Sequence, residues 1–199
     1  MSSQRYFVFI YPKKSEINSL LNLAIFSLHP QEKWPAHITV AGPFERRPTS
    51  RAQPRFDRTV FSLGAWNFFQ QGISTVYLKV GMNDIWRYWN KPSFIGNPVP
   101  HISLYNGQDE EFAQKIFNKL HEIRPIFAFD VEGIEVINSS AQSRMDLRSV
   151  VDVNTLPHTR GMQLDEIASL PKAERLEIAS EALLKCRPSE MSAGAPLMP

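Results

Sequence analysis

Two short segments of this chain follow one pattern: Pro35-Ala36-His37-Ile38-Thr39-Val40 and Val99-Pro100-His101-Ile102-Ser103-Leu104. In each, a histidine is followed two residues later by a hydroxyl, with aliphatic residues interleaved. Successive side chains along a β-strand point to opposite faces. As strands, both segments therefore put an imidazole and a hydroxyl on one face, about 6–7 Å apart along the strand. Ile38, Val40, Ile102 and Leu104 then point to the core.

The flanking sequence repeats as well. Arg5–Tyr11 is aromatic and β-branched, is closed by Pro12, and reads as a buried strand. Ser15 is placed to cap a helix carrying Ile17, Leu20, Leu21, Ala24, Ile25 and Leu28, which stops at His29-Pro30. The strand Ala36–Ala41 follows. Further on, Ile73–Val80, a short helix at Asn83–Asn90 and the strand Val99–Tyr105 give the same order. The expectation is an α+β, bilobal fold of duplicated βαβ-type units. Its antiparallel sheets would flank a central cleft, with the two histidines at equivalent places.

The remaining chain is read as follows. Glu45–Arg58 is a loop, and Thr59–Phe69 pairs with Ile73–Val80 around Gln70-Gln71-Gly72. A helix spans about Asp109–Ile123, with Phe112, Ile116, Phe117 and Leu120 on one face. Strands at about Ile126–Ile137 and Arg144–Val153 form a second hairpin around Asn138–Ser143. Two short helices, Leu164–Ala168 and Lys172–Leu184, are broken at Pro171, a helix-N1 proline. The expected division is a bilobal domain over 1–154, a C-terminal helical extension over 155–186 and a disordered tail over 187–199.

Composition narrows the function. With 22 Lys+Arg against 20 Asp+Glu, the formal charge of +2 suits an anionic substrate but not a protein that coats nucleic acid. A single cysteine, Cys186, excludes an internal disulfide framework and a cysteine-rich zinc module. Apolar runs such as Phe7–Ile10 and Leu23–Phe26 fall far below the roughly 18 residues of a membrane span. The N-terminus enters a strand with no signal-peptide pattern, so a cytoplasmic protein is expected. No HExxH, CxxC or glycine-rich phosphate loop is present, and each H-x-[T/S] strand offers only one ring nitrogen. No metal and no cofactor are expected.

Two imidazoles and two hydroxyls converging on one pocket match a tetrahedral phosphate. The hydroxyls hold nonbridging oxygens, while one neutral histidine takes a proton and the other, as imidazolium, protonates the leaving oxygen. Histidine suits both roles because its ordinary pKa, about 6.5, lies near working pH. His37 and His101 are thus the candidate catalytic pair, and Thr39 and Ser103 the candidate substrate-binding hydroxyls. Strand alternation adds Tyr105 to the face of His101 and Ser103. Trp34 and Phe44 flank the first motif, where either could stack a base. Lys91 and the arginines Arg46, Arg47, Arg51, Arg55 and Arg58 are weaker candidates for phosphate contact or steering. His29, His121 and His158 read as surface or capping residues.

The paired motifs, within the strings PAHITVAGPF and PHISLYNG, resemble those of the 2H phosphoesterase superfamily, over about residues 5–150. That resemblance implies a bilobal α+β fold and a metal-free site in the central groove, with the roles given above for His37, Thr39, His101 and Ser103. It points to hydrolysis of a 2′,3′-cyclic phosphate or a related cyclic or oligonucleotide phosphodiester. The partner expected is therefore a nucleotide or RNA-derived substrate, with no membrane and no DNA-binding motif, on a monomer. A non-catalytic binder of RNA or cyclic-nucleotide signals remains the alternative. The C-terminal helices, with a thin seam of Leu176, Ala179 and Leu183, either cap the core or dock a protein partner.

Overall fold

The computed structural model describes residues 5–47, 60–63, 73–80, 100–129, 131–138 and 146–187. The chain runs β1 (Tyr6–Pro12), α1 (Glu16–Leu28), β2 (Ile38–Phe44), β3 (Val60–Leu63), β4 (Ser74–Val80) and β5 (His101–Gly107). It continues through α2 (Glu110–Ile123), β6 (Phe127–Phe129), β7 (Val131–Asn138), α3 (Leu147–Val150), α4 (Leu164–Ser169) and α5 (Lys172–Lys185). Two single 3-10 turns, Val153–Thr155 and Pro157–Thr159, lie between α3 and α4.

The strands form two antiparallel sheets, ordered β2-β1-β7 and β5-β4-β3-β6. The motif-bearing strands β2 and β5 are thus edge strands, and they lie against each other. Val8 and Ile10, Ile38 and Val40, Val76, Leu78 and Val80, and Ile102 and Leu104 all enter one hydrophobic core. Helices cover that side of both sheets, so the alternate side chains of each strand face the other way. The α+β architecture with antiparallel sheets and C-terminal helices is the one the sequence leads one to expect.

Helix α1 is the central beam. Ser15 Oγ accepts from Asn18 N–H at its start, and nine consecutive residues, Leu20–Leu28, are buried. Such continuous burial needs cover on several sides, and α5 supplies part of it through Ile178, Ala179, Ala182 and Leu183. Helix α2 is amphipathic instead. Asp109 caps it at Phe112 N–H, and Phe112, Ile116 and Leu120 are buried while Phe117 is half-buried.

Three local expectations need correction. Residues 144–153 are not a hairpin strand: 147–150 are helical, because Asp146 accepts from Arg148 N–H and starts a turn that buries Leu147. Nor do 126–137 make one arm of a hairpin. Between β6 and β7 the chain changes sheets, β6 pairing with β3 and β7 with β1. Pro171 stands at the N-cap of α5, one residue before the N1 position. The short helix at 83–90, the turn at 70–72 and the tail from 188 onward lie outside the described residues.

Candidate active site

The β1 sequence YFVFIYP sends Val8 and Ile10 to the core, leaving Phe7, Phe9 and Tyr11 on the opposite face. Those three and Trp34 form a second, smaller apolar cluster. His37 sits on it, its ring stacked on Phe9 at 4.0 Å between centroids and 23° between planes. Tyr11 lies 6.5 Å away, and Trp34 meets Phe9 edge-on at 5.6 Å. Phe9 is directly opposite Thr39 in the β1–β2 register, so Thr39 shares this face.

Two contacts fix His37. Its Nδ1 lies 2.8 Å from Pro35 O. A carbonyl can only accept, so Nδ1 carries the proton and Nε2 presents a lone pair. From below, buried Asn22 of α1 accepts Ala36 N–H on its Oδ1 at 2.7 Å, donates to Asn18 Oδ1, and Asn18 in turn donates to Pro12 O. This chain of amides ties the end of β1, the first turns of α1 and the residue before His37 into one unit. Burial lowers the pKa of His37 below its ordinary 6.5. The Pro35 bond and the Glu32 charge oppose that shift, and the charge of His101 adds to it.

The second half-site is built on β4 and β5. Val76, Leu78 and Val80 enter the core, leaving Thr75, Tyr77 and Lys79 on the other face. Lys79 is opposite His101 and Tyr77 opposite Ser103. The Tyr77 and His101 rings are 4.8 Å apart, and Val80 N–H donates to Pro100 O to extend the ladder to the start of the motif. His37, Thr39, His101 and Ser103 are all half-buried, while their aliphatic neighbours are buried.

Tyr105 is not on this face. The β4–β5 register slips between Tyr77 and Val76, so that Tyr77 faces Ser103 but Val76 faces Tyr105. The extra residue, Leu104, is a β-bulge, and one added residue reverses the alternation beyond it. Tyr105 therefore enters the core, edge-on to Phe112 at 5.6 Å and 5.4 Å from His29, its hydroxyl accepting Asp109 N–H. That hydroxyl lies over Gly107, where no side chain would fit. Phe44 also departs from the motif: at the far end of β2, opposite Tyr6, it packs against the main core. Trp34 alone of the flanking aromatics reaches the His37 cluster.

Among the weaker candidates, Arg46 and Arg47 are exposed, while Lys91, Arg51, Arg55 and Arg58 lie outside the described residues. His29 caps the end of α1, His121 packs edge-on to Phe117, and His158 pairs with Glu181 at 2.9 Å. Sequence reading overlooked Phe9, Tyr11, Tyr77 and Lys79. The period-2 alternation within FVFIY and TVYLK carried that signal once β1 and β4 are seen beside the motif strands. Asn22 gave no such signal, since a single amide in an apolar helix looks like any surface position.

The family model of the 2′-5′ RNA ligase superfamily matches residues 16–142. No curated protein matches the chain. Among solved structures, Usb1 of Kluyveromyces marxianus is similar at 12% identity and a TM-score of 0.37, covering 69% of this chain and 98% of that one. The match spans both histidine motifs and the helix and strands that carry them, and the chain belongs to the 2′-5′ RNA ligase superfamily, the 2H phosphoesterases.

Proposed function

We propose that the chain is a metal-independent phosphodiesterase that hydrolyses a 2′,3′-cyclic phosphate, or a related bond at a ribose 2′ position, in a nucleotide or oligonucleotide. The observation that carries this reading is the approach of two edge strands, β2 and β5, whose motifs each set an imidazole, at or just before the strand's start, and a hydroxyl on the side away from the core. Phosphodiester bonds are the substrates that superfamily membership suggests.

In this reading His37 is the general base. Its Nδ1–H is committed to Pro35 O, and burial keeps the ring neutral, so Nε2 is free to accept a proton from water. The new hydroxide attacks phosphorus, the bond from phosphorus to one ribose oxygen breaks, and His101 as imidazolium protonates that oxygen. Solvent then removes the proton from His37 and restores that of His101. Thr39 and Ser103 donate to the nonbridging oxygens, where negative charge develops.

The test is product analysis after incubation with nucleoside 2′,3′-cyclic phosphates and short 2′,3′-cyclic-ended oligonucleotides. His37→Ala and His101→Ala should each lower turnover by about 10²–10⁴-fold with the fold intact by circular dichroism. EDTA should change nothing. Full turnover in either variant overturns the mechanism, and ligand that is bound but unchanged favours the non-catalytic binder.

A further inference from the structure

The two half-sites match in which positions face each other but not in charge. Phe9 opposes Thr39, and the β1–β2 register carried one step past Ile10↔Ile38 sets Tyr11 beside His37. In the other sheet the matching places are Tyr77, opposite Ser103, and Lys79, opposite His101. One histidine therefore has a buried tyrosine at its side, the other an exposed lysine.

The common structural reason for a strand lysine does not apply here. Lysines on edge strands discourage pairing with other chains, but β4 is an interior strand, hydrogen-bonded to β5 on one side and β3 on the other. Lys79 stands on the open face of that interior strand, next to the Tyr77 ring and across from His101. Directly opposed residues have Cβ atoms about 4.5–5.5 Å apart. The four-carbon stem of lysine is longer than the arm of histidine, which gives its ammonium the length to extend past the imidazole. It makes no ion pair or hydrogen bond among the described residues.

Resting on the phosphodiesterase reading, we infer that Lys79 binds a second, non-scissile phosphate of the substrate, one nucleotide away from the bond cut between His37 and His101. The preferred substrate is then an oligonucleotide with at least one further phosphodiester, rather than a nucleoside monophosphate ring. The second phosphate lies on the β4–β5 side, where Lys79 stands, while the β1 face beside His37 carries the aromatic cluster of Phe7, Phe9, Tyr11 and Trp34.

Kinetics on a nucleoside 2′,3′-cyclic phosphate and on a ribodinucleotide ending in the same ring test this. Lys79→Gln should lower the dinucleotide-to-mononucleotide ratio of kcat/KM about tenfold, and Lys79→Arg should restore most of it. Dinucleotide binding should also become less sensitive to ionic strength in Lys79→Gln, because one charge–charge contact is gone. An unchanged ratio overturns the inference, because Lys79 would then act on the scissile phosphate or on nothing. Titration of both ligands into the His101→Ala protein, with and without Lys79→Gln, reads the same contact without turnover. If the wild type cleaves neither ligand, the phosphodiesterase reading fails, while the titration still judges Lys79. Equal affinities with and without the lysine, or no dinucleotide binding at all, sink it.

Discussion

The first H-x-[T/S] motif is held from beneath by a side chain, and the second by a backbone ladder. Residues 35–37 lie outside β2, and Asn22 of α1 reaches up to take the Ala36 N–H. At the matching place in the second half, Val80 N–H donates to Pro100 O and His101 is already a paired strand residue. The surroundings differ in the same direction. His37 rests on a stacked phenylalanine in an aromatic cluster, whereas His101 has Tyr77 and an exposed lysine beside it. A repeated motif thus gives two imidazoles different neighbours: one is stacked on a phenylalanine and desolvated, the other lies beside a tyrosine and across from a lysine. Acid–base catalysis at a single pH needs such a division.

The sharpest way to break this comparison is through pH. The kcat/KM profile should be bell-shaped, with its acid limb below the ordinary histidine value of 6.5, because burial disfavours the charged form of His37. His37→Ala should remove that limb along with about 10²–10⁴-fold of rate, and His101→Ala should remove the alkaline limb instead. Exchange of the limbs between the two variants would reverse the roles. The same depressed pKa has a linked consequence for stability. Below pH 6.5 the unfolded chain takes up a proton that folded His37 resists, so its contribution to stability falls as the pH drops.

The faces taken by the candidate residues were legible because alternation along a strand is a local property. His37, Thr39, His101 and Ser103 could be placed on one side of their strands, opposite Ile38, Val40, Ile102 and Leu104, with no knowledge of the neighbours. Tyr105 shows where local reasoning stops. The bulge at Leu104 is decided by pairing with β4, and nothing in HISLYNG marks it. The hairpin expected over 126–153 was misread for a similar reason. Both stretches are rich in β-branched residues, yet residues 126–137 are divided between two sheets, and Asp146 caps a helical turn in the second stretch. The partners Phe9, Tyr11, Tyr77 and Lys79 required knowledge of which strand lies beside which.

Asn22 sharpens the comparison by asking how much orientation matters. Asn22→Leu leaves Ala36 N–H buried without its acceptor, at a cost of about 1–3 kcal/mol in stability by chemical denaturation. If the amide holds the His37 segment in place, kcat should fall several-fold with little change in KM, and the acid limb should move as Pro35 and the ring shift together. The His101 segment is held by the β4–β5 ladder and not by Asn22, so the alkaline limb should stay where it is. A loss of stability with kcat and both limbs unchanged would make Asn22 structural only.

The smallest expected effect compares the caps of the two long helices. Ser15 caps α1 with a neutral hydroxyl, and Asp109 caps α2 with a carboxylate that also pairs with Lys172 of α5. Replacing either by alanine should cost about 0.5–2 kcal/mol at neutral pH. The pH dependences should differ. The Lys172 hydrogen bond, the Phe112 N–H and the charge of Lys172 hold Asp109 below its ordinary 3.8. A carboxylate with a depressed folded pKa stabilises fully above its unfolded value, and that contribution is lost as the pH falls through the folded one. The cost of Asp109→Ala should therefore shrink in acid below about pH 3.8, while that of Ser15→Ala stays level. Parallel curves for the two variants would mean that the Asp109 carboxylate gains nothing in the fold from its charge.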